Sequence, residues 1–204
     1  MNEIRIAAIV EGHGEVESVP LLIRRIASEI DPSILINVKP TIRKPANQLK
    51  KEGELEKAVE YVARKLDGDG GILILIDCDW DGGCPKTDAP ALLNRARFTR
   101  SDMLISVVLA YKEYEAWFIA AAESLRGKRR LSETLTSVDN PEQIRGAKEW
   151  LSHRMPQNDS YSETLDQPAL TALFDMQAAR RANSFDKCYR EIACMINRLK
   201  ADFD

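Results

Sequence analysis

Acidic residues recur where the apolar runs of this chain stop. The run Ile4 to Val10 ends in Glu11-Gly12-His13-Gly14-Glu15. Ile72 to Ile76 ends in Asp77-Cys78-Asp79-Trp80-Asp81, and Met103 to Ala110 is followed by Glu113 and Glu115. Carboxylates crowded together repel and raise one another's pKa. A hard divalent cation removes that penalty, and oxygen donors without His or Cys select magnesium or manganese over zinc. Glu11, Glu15, Asp77 and Asp79 are therefore expected to be metal ligands. Each acid alone has an ordinary competing assignment as a helix cap or a solvated charge. Glu15 at the positive end of a helix would gain only about 0.3–1 kcal/mol. Three sets at equivalent strand ends carry more weight than any one.

The residues between the acids narrow the chemistry. Gly12 and Gly14 flank His13, where they would allow close approach of a ligand or unusual dihedral angles. His13 would contact a phosphate or assist proton transfer there. The chain has no GxxxxGK[ST] loop, and Gly-His-Gly is no dinucleotide fingerprint. A GxSxG nucleophile elbow is also missing. Cys78 lies between two aspartates, which oppose a reactive thiolate. His153, near Trp150, reads as structural.

The elements that must position these acids alternate. Ile4 to Val10 suits a strand buried on both faces. Val19, Leu22, Ile23, Ile26 and Ile30 predict a helix over Glu15 to Ile30, with Pro20 tolerated near its start. A second strand is expected over Ile34 to Val38, closed by Pro40, and a helix over Glu54 to Leu66. The run Ile72 to Ile76 is the third strand, Ala91 to Arg100 a helix, Met103 to Ala110 the fourth strand and Glu113 to Leu125 a helix. Four alternations predict an α/β fold with a mostly parallel four-stranded sheet flanked by helices. Ligands of such sheets bind beyond the carboxyl ends of the strands. Beyond about residue 126 only helices are expected, opening at Asn140-Pro141-Glu142, at Asp166-Gln167-Pro168 and at Asn183 or Ser184. This divides the chain into an α/β domain, residues 1–126, and a helical extension packed on it, residues 127–204.

Composition sets outer bounds. A chain of 204 residues with 44% hydrophobic residues can bury a substantial core. No stretch has the length of a membrane span. Met1 to Ile9 lacks the pattern of a secretory signal, so a cytoplasmic protein without a membrane partner is expected. Cys78, Cys84, Cys188 and Cys194 have neither CxxC nor zinc spacing and are expected to be free thiols. The 29 basic and 32 acidic residues nearly cancel, to a formal charge of −3. Basic clusters such as Arg43-Lys44, Lys50-Lys51 and Arg95 to Arg100 read as solvated faces, unless collected beside the acids to hold a phosphate backbone.

Glu11 after the first strand and Asp77-x-Asp79 after the third resemble the Toprim domain of topoisomerases, primases and OLD-type nucleases. The match covers roughly residues 3 to 125, and the spacing of Glu15 from Glu11 is closer to the OLD branch. Glu115-Ala116-Trp117, the pattern from Asn140 to Leu151, and residues 161–175 and 179–185 are similar to small stand-alone Toprim-like proteins of unknown function, often encoded beside ATPases. The resemblance implies that Glu115, with Glu113 as the alternative, joins the metal site. It also implies a catalytic lysine that no motif fixes; Lys148 and Arg180 are the candidates, each against an ordinary helix-surface charge. The activity implied is magnesium- or manganese-dependent phosphoryl transfer, a nuclease acting on DNA rather than RNA through Glu11, Asp77, Asp79 and Lys148. The alternative is a non-catalytic or conditionally active partner of an ATPase assembly, since the charge offers no strong nucleic-acid footprint.

Overall fold

The computed structural model describes residues 3–201, so the outer ends of both predicted segments, residues 1–2 and 202–204, lie outside the described residues. The apolar runs that end in acids are strands of one sheet: β1 (Glu3–Val10), β2 (Leu35–Arg43), β3 (Gly71–Cys78) and β4 (Leu104–Tyr111). The spatial order is β2-β1-β3-β4 and every pair is parallel. This is the α/β architecture expected from the alternation. The chain runs outward from β1 to β2, then crosses back to β3, so the strand order reverses between β1 and β3. Their carboxyl ends, carrying Glu11 and Asp77, flank the place where an open parallel sheet forms its ligand crevice.

Side-chain alternation divides the core into two layers. Ile4, Ile6, Ala8, Val10, Leu73 and Leu75 face α1 (Glu15–Ile30) and the C-terminal helices. Ala7, Ile9, Ile72, Ile74 and Ile76 face α3 (Glu54–Leu66) and α4 (Pro85–Thr99). A short α2 (Ala46–Leu49) links β2 to α3. After β4 come α5 (Ala116–Ala120), α6 (Ala147–Ser152), α7 (Glu163–Thr171), α8 (Met176–Ala179) and α9 (Asn183–Ala201). Phe185, Cys188, Ile192, Met195, Ile196 and Leu199 of α9 lie in the same buried cluster as the β1 and β3 side chains. The helices beyond residue 126 therefore share one core with the sheet and complete its second cover.

Four local expectations change. Strand β2 continues through Pro40 to Arg43. It is an edge strand paired only with β1 among the described residues, and the pairing register shifts between Ile6 and Ala8, so the missing proline N–H is tolerated. The extra length delivers Arg43 to the acidic end of the sheet. Second, α4 begins at Pro85 rather than Ala91, with Pro85 in the first turn, where a missing N–H is harmless. Third, the helix expected over Glu113 to Leu125 breaks into α5 and a 3₁₀ turn, Ala122–Leu125. Every residue from Tyr114 to Ala122 is buried, and packing overrides helix propensity. Trp117 anchors the segment: its Nε1–H donates to Ser184 Oγ at 2.9 Å, and its ring meets Tyr114 and Phe185.

Fourth, two presumed helix starts have other roles. Helix α7 opens after Ser162, and Asp166 turns back to accept from Ser162 N–H at 2.8 Å while pairing with Arg129 at 2.9 Å and with Arg130. Pro141 to Gln143 form only a 3₁₀ turn. Glu142 instead accepts the N–H groups of Asn183 and Ser184, at 2.9 and 2.8 Å, and caps α9 from a distance. Replacing Glu142 with Ala is expected to lower stability by about 1–2 kcal/mol. A lower urea midpoint with an unchanged denaturant slope checks this.

Candidate metal centre at the carboxyl edge of the sheet

Backbone N–H groups hold Glu11, Glu15 and Asp77. Glu15, at the start of α1, folds back so that Oε2 accepts from the N–H groups of Glu11 and Gly12, at 2.8 and 3.1 Å. Glu11 reaches across the gap between β1 and β3, where its Oε2 accepts from Asp77 N–H at 3.1 Å. Asp77 Oδ1 accepts from Tyr114 N–H at 2.9 Å, tying the end of β3 to the turn after β4. That turn places Glu115 behind the cleft, wholly buried. Glu115 Oε1 accepts from Tyr161 Oη at 2.9 Å and from Gln167 Nε2 at 3.1 Å. Its other oxygen, Oε2, is buried with no hydrogen-bond partner among the described residues.

The electrostatics follow from this burial. Desolvation, opposed by two backbone N–H groups and reinforced by Glu115 and Glu11, pushes Glu15 up to about 8. Desolvation also pushes Glu115 up to about 7, against the pull of Lys148. Asp77 is raised well above the usual range by burial, then by Glu15, Glu115 and Glu11. Glu11 is raised by burial as well, with Asp79 adding to it. Lys148 on α6 is pulled the other way: burial disfavours its charge, but Glu115, Glu163 and Asp77 together hold its ammonium above the ordinary lysine value. The structure thus brings Lys148 into the acid cluster, 3.1 Å from Glu163 Oε2.

Glu11, Glu15, Asp77, Lys148 and Glu163 line a cleft of about 500 Å³ that also includes His13, Arg43, Lys50 and Trp80, while Glu115 lies behind this lining. Glu15 and Asp77 form its floor and wall. Asp79 and His13 are exposed at its mouth, so Asp79 is not part of the buried set. Lys50 Nζ lies 4.1 Å from the centre of the Trp80 ring, giving one lip a flat cationic surface. Glu113 accepts from Ala147 N–H at 3.1 Å and so holds the first turn of α6, the helix that carries Lys148. Arg180 is absent from the cleft lining and pairs with Asp186 at 2.7 Å. Among the described residues, no three His, Cys, Asp or Glu side chains are placed closely enough to hold a metal ion as they stand. A cation would have to draw the acids inward or share them with water.

Two residues of α7 were not foreseen. Glu163 Oε1 accepts from Gly14 N–H at 3.1 Å, and Gln167 links Ser18 to Glu115. The glycines were the available signal, since the close approach they allow is made by α7. A Cβ on Gly14 would meet the Glu163 carbonyl oxygen, and one on Gly12 the Glu163 carboxylate, so both glycines make room for α7. Gly14 itself has ordinary right-handed dihedrals (φ −67°, ψ −31°).

No curated protein and no solved structure gives a significant match to the chain. A family model described as a domain of unknown function, DUF4276, matches residues 10–193, which include every acid of the cleft and all of the helices that close it. The chain belongs to the DUF4276 family.

Proposed function

We propose that the cleft binds a divalent cation, magnesium or manganese, through Glu11, Asp77 and Glu115, with Glu15 and Asp79 contributing from the floor and the mouth. The observation that carries this reading is the buried, unpartnered Oε2 of Glu115. A carboxylate oxygen held out of water without a donor costs free energy that a cation recovers. Its neighbours Glu15 and Asp77 are raised by its charge, so the three acids compete for protons that a cation would replace. Oxygen donors alone favour a hard ion.

The reaction that fits best is phosphoryl transfer, hydrolysis of a nucleic acid and of DNA in particular, as the Toprim resemblance implies. The bound ion would supply Lewis-acid polarisation of a phosphoryl oxygen. Lys148 offers a fixed positive charge beside the acids, and Glu163 and Glu115 hold it there. Lys50 and Arg43, with the Trp80 ring, give the cleft an outer lip suited to a phosphate chain and a base. A supercoiled plasmid incubated with magnesium or manganese tests the reading. Wild type is expected to nick it, and Asp77→Ala to be slower by about 100-fold or more. No cleavage with either ion, or undiminished cleavage by Asp77→Ala, would count against it.

A further inference from the structure

The free edge of β4 lies apart from the acidic cleft, and no residue lines both. Among the described residues, only β3 pairs with β4. Lys112 N–H donates to Cys78 O, so even-numbered residues of this strand direct their backbone groups toward β3. Odd-numbered residues direct theirs outward, and Ile105 O, which accepts from Arg97 at 3.5 Å, agrees with that parity. The N–H and C=O groups of Val107, Leu109 and Tyr111 are then left facing the edge. Among the described residues, none of them has a hydrogen-bond partner on that side. Sheet edges are usually blunted by charge, proline or a bulge. The segment Val107-Val108-Leu109-Ala110-Tyr111 has none of these.

Beside these residues lies a cleft of about 800 Å³, walled by Ala89, Pro90 and Leu93 of α4 and by Ser184 and Lys187 of α9. The strand is recessed within it: Val107 is 4% and Leu109 2% exposed, although both stand on an edge strand. A second sheet would bring its own covering helices against α4 and α9. A single extended chain of about five residues, some 15 Å long, matches the open rungs. The charges at the rim are unequally committed. Glu142 is held by the α9 N–H groups, Lys187 pairs with Glu191 and Arg190 with Asp186, whereas Lys86 forms no ion pair among the described residues.

We propose that the β4 edge takes up an extended peptide segment of a partner protein as a fifth strand. Its backbone would pair with Val107, Leu109 and Tyr111, its alternate apolar side chains would lie against α4, and an acidic residue would face Lys86. This is strand addition, in which the main chain gives affinity and alternate side chains give selectivity.

The probe is a library of acetylated hexapeptides alternating Val or Ile with Ser or Thr, made with and without a terminal Asp. Binding is expected to slow hydrogen exchange at the Val107, Leu109 and Tyr111 amides, and to leave Val108 and Ala110, already bonded to β3, unchanged. Methylating alternate peptide nitrogens is expected to abolish it. Lys86→Glu is expected to weaken the Asp-bearing peptides by about fivefold and leave the neutral ones unchanged. Binding by no member of the library, or undiminished binding after methylation, would overturn the proposal. So would protection of the same three amides in a peptide-free dimer, which would assign the edge to a second copy of this chain.

Discussion

Glu115→Gln is expected to yield a folded protein that no longer responds to magnesium or manganese. Glutamine keeps the shape of the side chain and an oxygen for the Tyr161 and Gln167 donors. It removes the charge that raises both Glu15 and Asp77. Without added metal, the variant loses the repulsions from Glu15 and Asp77 together with the attraction to Lys148, so its melting temperature is expected to stay close to that of wild type. With metal, the wild-type melting temperature should rise in proportion to ion binding while that of the variant stays fixed. Affinity measured by calorimetry should fall by about 100-fold or more, since even an outer-shell change costs 10- to 100-fold. A destabilised Glu115→Gln protein that still binds the ion as wild type does would show that Glu115 is an ordinary core acid.

A second large effect follows from the same cluster. In the unfolded chain Glu15 and Glu115 titrate near 4.5, whereas folding raises them to about 8 and about 7. Between those limits the folded protein holds more protons than the unfolded one, so stability falls as pH rises through this window. The contribution is complete below about 4.5 and lost above about 8. A tenfold change in proton affinity is worth about 1.4 kcal/mol, so the loss amounts to a few kcal/mol for the cluster. Carboxylates held low by cations, such as Glu56 beside Arg95 and Asp186 beside Arg180, act in the opposite sense and at more acid pH. A divalent cation at about pH 8 takes the place of the missing protons and should restore the urea midpoint seen near pH 5. A metal-free midpoint that rises from pH 5 to pH 8 would contradict the titration assigned to Glu15 and Glu115.

Much of this architecture is local enough to read from residue order. The runs Ile4 to Val10 and Ile72 to Ile76 are buried on both faces and so lack alternation, which identifies a parallel sheet. Their ends carry Glu11 and Asp77 at the place where strand order reverses. Helices α1 and α3 run as their apolar spacing requires, Glu15–Ile30 and Glu54–Leu66. What escaped is set by contacts distant in sequence. Glu163 meets Gly14 across 149 positions, and Tyr161 meets Glu115 across 46. No periodicity encodes such a pairing. Pro40 reads as a strand stop because the edge position that tolerates it is a property of the sheet. Glu113 and Glu115 look equivalent in sequence, yet one holds the N-terminus of α6 while the other is buried with a free oxygen. Lys148 carries no motif, and only the fold of α6 against the turn after β4 brings it to the acids.

The strand-end acids are proposed to hold a divalent cation. Crystals soaked in manganese and measured for anomalous scattering test it most directly. A manganese peak is expected within coordination distance of Glu11, Asp77 and Glu115, and is expected to be lost in crystals of Glu115→Gln. Manganese-soaked crystals with no peak in this cleft, or with the peak unchanged in Glu115→Gln, would contradict it.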